Sequence, residues 1–121
     1  MSREDVRQAL SQDATPFQRA GDEEADLFRE VGVCVYYDSS GLTAAIELAS
    51  PASVLLGQDQ LIGVSFSKAQ AALFARDPAL SVEPDGAVSR AVGVGLWAPL
   101  AKDDSTAPVE SVIVFVPGYY G

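Results

Sequence analysis

From Val31 onward the apolar positions of this chain recur every second residue. Val31, Val33, Val35 and Tyr37 fall on one face of an extended segment, and Gly32, Cys34, Tyr36 and Asp38 on the other. The stretch DSSG reads as a turn, after which Leu42, Ala44, Ile46 and Leu48 resume the alternation. Two period-two runs around a short polar turn specify a β-hairpin. Pro51 ends its second arm. Val54 to Leu56 and Leu61 to Val64 read as two shorter strands around the turn GQDQ.

The period then lengthens. Ser67 can cap a helix while Gln70 reaches back three residues later, and Asp77-Pro78 ends it. Ala71, Leu73, Phe74 and Ala75 are its expected core face. Leu80 to Glu83 reads as extended and PDG as a turn. Ala87 to Val92 and Val94 to Ala98 either pair or form one strand bent at Gly93 and Gly95. After the polar loop APLAKDDSTAP, Val109 to Val116 is almost wholly apolar, as in a central strand covered on both faces. Pro117 and Gly118 stop the ladder, and Tyr119 and Tyr120 then cross a sheet end.

The first thirty residues are less regular. Ser2 to Leu10 reads as a short helix held only by Val6 and Leu10. SQDATPFQRAG reads as a connector, and DEEADLFREVG as a second helical turn capped by Asp22 and anchored by Leu27 and Phe28. No internal repeat is read. The expected fold is α+β, an antiparallel-dominated sheet with one main helix packed on it and a short N-terminal helical segment. Residues 1–121 form one domain, with 1–21 more loosely packed.

At 121 residues and 48% hydrophobic content, such a domain can build a core without disulfides or metals. Eight basic against seventeen acidic residues give a net charge of -9. That opposes binding to nucleic-acid phosphates and to anionic membranes, and it favours a basic protein partner, although solubility explains the same acidity. The chain has no histidine, which removes Ser-His-Asp and Cys-His nucleophiles. Cys34 is the sole cysteine and sits among valines, as an inert buried thiol does. The charged N-terminus lacks an apolar signal core, and no run approaches the length of a membrane span. The expected location is therefore the cytoplasm, and the alanine, glycine and aspartate usage fits a bacterial source.

No motif specifies a cofactor or a metal. VGVGL lacks the third glycine of a dinucleotide fingerprint, so close strand packing or a bulge accounts for it better. SFSK matches the Ser-x-x-Lys pattern of acyl-enzymes without its companion motifs, and helix capping explains its serines. DEEAD lacks the spacing of a calcium loop. The interface candidates are Tyr36, Asp38, Glu47, Tyr119 and Tyr120, because tyrosine beside carboxylate is a frequent contact composition. Core filling is the simpler account of Tyr37.

The succession YYD, turn, AIEL, then GQDQLIG, a capped helix, VGVGLWAP and SVIVFVPGYY resembles small bacterial α+β proteins of the polymorphic-toxin immunity type, over about Phe28 to Tyr120. The resemblance implies a non-catalytic protein-binding role and brings no catalytic residue. The alternative is a small enzyme or small-ligand protein that uses carboxylates and tyrosine in a pocket.

Overall fold

The computed structural model describes residues 2–10, 15–19 and 23–119. The elements run α1 (Arg3–Leu10), β1 (Thr15–Arg19), β2 (Glu23–Phe28), a 3-10 turn (Arg29–Val31), β3 (Val33–Tyr37), β4 (Thr43–Ala49), β5 (Leu55–Leu56) and β6 (Asp59–Gln60). They continue with α2 (Phe66–Arg76), β7 (Ser81–Glu83), β8 (Gly86–Ser89), β9 (Val94–Trp97) and β10 (Ser111–Phe115). Eight strands make one sheet in the order β1-β2-β3-β4-β10-β9-β8-β7, and β5 and β6 form a separate hairpin. Every neighbouring pair is antiparallel. The α+β expectation, with one main helix and a short N-terminal one, describes this architecture.

The β3–β4 hairpin pairs Val33 with Leu48 and Val35 with Ile46. Its turn is closed by Asp38, whose carboxylate accepts from the Ser40 and Leu42 amides at 2.8 and 3.0 Å. In α2 the cap is Ser65, which accepts from the Lys68 amide at 3.3 Å, rather than Ser67. The buried face is Phe66, Ala69 and Leu73, an i, i+3, i+7 stripe, whereas Ala71, Phe74 and Ala75 face solvent. Leu73 is the one expected core residue that points inward, because Ala71, Phe74 and Ala75 lie about 80° or more around the helix from that stripe.

Two N-terminal expectations are corrected. EEADLF is a strand, because Ala25 and Leu27 alternate with Asp26 and Phe28 and all four pair with β3. TPFQR, read as a connector, is the edge strand β1, where a missing proline donor can face away from the ladder. The proposed cap Asp22 lies outside the described residues.

Both helices cover the same face of the sheet. Val6 of α1 packs with Phe28, Val35 and Tyr37, and the α2 stripe packs with Ala87, Val94, Leu96 and Val112. The strand registers put all these sheet residues on one side. β10 is central, as expected, between β4 and β9. It is not covered on both faces: Val112 is fully buried, but Ile113 is only half-buried and Val114 is 40% exposed.

The reading that the chain has no repeat is also corrected. A helix followed by four antiparallel strands occurs twice, as α1-β1-β2-β3-β4 and α2-β7-β8-β9-β10, and the last strands of the two units pair at the centre. The sequence carries the trace. Arg29, Val31, Gly32 and Val33 recur as Arg90, Val92, Gly93 and Val94 at the entry to the third strand of each unit. Gly32 and Gly93 share a left-handed backbone, with φ of 70° and 82°. A side chain there would be strained, so the shared glycines preserve one shared turn. Continuing the match, Cys34 corresponds to Gly95 and Tyr36 to Trp97.

Candidate functional site

Two places concentrate polar chemistry. The first lies under α1, where the fully buried Asp26 carboxylate receives Arg3 Nε and Nη2 at 3.0 and 2.8 Å, and Arg7 Nε and Nη2 at 3.0 and 2.8 Å. The Tyr37 hydroxyl donates to it at 3.0 Å, and the Arg3 guanidinium lies 5.2 Å from the centre of the Tyr37 ring. Burial alone would raise the Asp26 pKa, but the hydrogen bonds from Arg7, Arg3 and Tyr37 outweigh it and hold the carboxyl well below its usual range. The Tyr37 pKa is pushed up by burial and then by its bond to Asp26. Five hydrogen bonds converge on this carboxylate, which leaves it little capacity to accept from a substrate. The cluster therefore fastens α1 to the sheet, and Tyr37 fills core as expected.

The second place is the sheet face opposite the helices. Register sets Glu47 of β4, Ile113 of β10, Gly95 of β9 and Val88 of β8 in one row across it. The neighbouring row holds Ser111, Trp97 and Gly86. Of these residues, Glu47, Val88, Gly95, Trp97, Ser111 and Ile113 line a cleft of about 450 Å³. A second cleft of about 380 Å³, lined by Ser81, Glu83, Asp85, Gly86 and Arg90, shares Val88 and Trp97 with the first. Trp97 is 51% exposed and borders both.

The floor is shallow because glycine occupies it. A Cβ on Gly95 would approach Ile113 Cγ2 to 2.8 Å, and one on Gly86 would approach the Leu96 carbonyl oxygen to 2.7 Å. In the N-terminal unit the corresponding positions hold Cys34 and Ala25, both buried together with Tyr36, Ala45 and Phe115. One unit thus fills this face with side chains, and the other leaves it open around an indole.

The sequence candidates distribute unevenly over this geometry. Tyr36 and Glu47 come together: the buried Tyr36 hydroxyl points to Glu47 Oε1 at 3.5 Å, a long contact. Asp38 does not join them, since it organises the hairpin turn at the strand end. Tyr119 folds back across Gly118 and stacks on Phe115, with centroids 5.9 Å apart and planes at 28°. It borders the Tyr36 cluster on the same face. Tyr120 lies outside the described residues. Trp97, Ser111, Ile113 and Val88 were missed. The available signal was the alternation in VGVGLW, which puts Gly93, Gly95 and Trp97 on one face.

Cys34 is 7% exposed in the Tyr36 cluster. A thiol reagent is accordingly expected to label it far more slowly in the native protein than in urea. Equal labelling rates in the two conditions would show that Cys34 is accessible.

Among the described residues, no group of three or more histidine, cysteine or acidic side chains is placed to hold a metal ion. None of their helices is long and apolar enough to cross a membrane. No family model, no curated protein and no solved structure matches the chain.

Proposed function

We propose that this protein is a non-catalytic protein-binding module whose partner docks on the open sheet face around Trp97. An immunity-type inhibitor of a basic toxin is the form of that role favoured by the charge. The observation that carries the reading is a half-exposed tryptophan on a glycine-floored sheet, flanked by the apolar Val88 and Ile113. Such an aromatic, surrounded by surface that a partner can desolvate, is the composition of an interface anchor. The acids Glu47, Glu83 and Asp85 line the same surface against one guanidinium, Arg90, on a chain of net charge -9. A basic partner surface complements that imbalance.

One observation favours a second reading. The larger cleft, at about 450 Å³, has the volume of a small-molecule site, so a small-ligand protein is the alternative. Trp97 is the single tryptophan of the chain, which makes its fluorescence a local reporter for either case. Wild type and Trp97→Ala should have nearly equal thermal stability, because the indole is half in water in the free protein. A partner captured by the wild type should be lost by Trp97→Ala and should alter Trp97 emission when it binds. Capture unaffected by the substitution would move the interface elsewhere. A dialysable metabolite giving the same emission change would favour the small-ligand alternative.

A further inference from the structure

We propose that the larger cleft receives an arginine side chain of the partner, stacked on Trp97 and hydrogen-bonded to Glu47 and Ser111; this rests on the docking reading above. The inference begins with Ser111. The residue is 8% exposed and lines the cleft, and its hydroxyl is not among buried atoms left without a partner, so it is available to a group that enters the cleft.

Glu47 supplies the charge. It is half-buried on the same cleft wall, and no lysine or arginine among the described residues pairs with it. The Tyr36 hydroxyl approaches its Oε1 at 3.5 Å, a long contact. Glu47 therefore stands at one end of the cleft, and Ser111 lies beside the half-exposed indole of Trp97, its register partner, at the other. Glu47 and Trp97 lie on strands two apart, a separation of roughly 10 Å at the usual strand spacing, with Gly95 and Ile113 as the floor between them.

Arginine matches this arrangement better than other side chains. Its planar guanidinium offers five donors in a fixed fork and stacks on an aromatic face, and its methylene stem suits Ile113 and Val88. Lysine carries the same charge but presents no plane to the indole. An aliphatic or aromatic anchor would use the indole yet leave the Glu47 charge without a counter-ion. The second cleft strengthens the choice of sign, since Glu83 and Asp85 add negative charge on the other side of Trp97.

The test is a titration of Trp97 fluorescence with a blocked tripeptide, acetyl-Gly-Arg-Gly-amide, and with its citrulline and lysine counterparts. Citrulline keeps the shape and removes the charge. The arginine peptide should give a saturable emission change, with affinity about tenfold above that of the citrulline peptide and above that of lysine. Glu47→Gln should remove most of that preference while leaving the melting temperature nearly unchanged, and added salt should weaken binding. Equal responses to arginine and citrulline, or no response to arginine, would overturn the inference. In that case, partner capture that still depends on Trp97 would leave the docking reading standing, whereas capture independent of Trp97 would remove both.

Discussion

Val112→Asp is expected to leave no folded protein, whereas Val114→Asp, two residues further along the same strand and facing the same side, is expected to fold. Val112 is fully buried beneath the α2 stripe, among Leu73, Val94 and Leu96. A carboxylate there has no cation to pair with, and burying it costs several kcal/mol, against a total domain stability of about 5–15 kcal/mol. Val114 belongs to neither helix cluster and is 40% exposed, so its aspartate can stay hydrated. Circular dichroism and thermal melting separate the outcomes. A Val112→Asp protein that melts within a few degrees of wild type would show that β10 is not the centre of the core.

Replacing both Arg3 and Arg7 with alanine is expected to cost about 3–5 kcal/mol, a fall of about 10–20 °C in melting temperature. The loss arises because Asp26 stays fully buried while both of its cations are removed. Arg3 and Arg7 are themselves partly exposed, so deleting the carboxylate instead, as in Asp26→Asn, lets the guanidiniums return to water and should cost less. The pH dependence has a definite sign. With the Asp26 pKa depressed in the folded state, the stability it contributes is complete above the unfolded value of about 4 and is lost as pH falls toward the folded one. In the double variant, burial without cations raises the Asp26 pKa, so acidification relieves the penalty. The difference in melting temperature between wild type and variant should therefore begin to narrow above about pH 4, as the variant is relieved. It should narrow further below about pH 4, as the wild type loses its ion pairs. At the other end Tyr37, whose pKa is raised, contributes stability that is complete below about pH 10 and is lost above it. A double variant as stable as wild type at pH 7 would show that α1 is held by Val6 alone.

Much of the chain from Val33 onward is legible because its signals are local. The hairpin at Val33 to Ala49 shows as strict alternation around DSSG, and Asp38 closes that turn through atoms within four residues of itself. The helix before Asp77-Pro78 shows as a capped segment, although its inward face is Phe66, Ala69 and Leu73 rather than the run from Ala71 to Ala75. DEEADLF was misread for a different reason. Its acids suit a helix start as well as a strand, and what decides between them is Arg3 and Arg7, nineteen or more residues away in sequence.

The sequence by itself determined that this is a small acidic α+β domain, with its last apolar run at the sheet centre and without a histidine for proton transfer. Only the tertiary structure decided which face of that sheet is covered. Alternation shows that a strand has two faces, but Val33 and Val35 on one side and Cys34 and Tyr36 on the other are all apolar enough for a core. The two helices settle the matter by packing on the same side, a consequence of long-range contacts that no local period encodes. The cleft arises in the same way. Gly95 and Gly86 are merely two small residues along the chain, and they become an open floor beside Trp97 because β9 lies between β8 and β10.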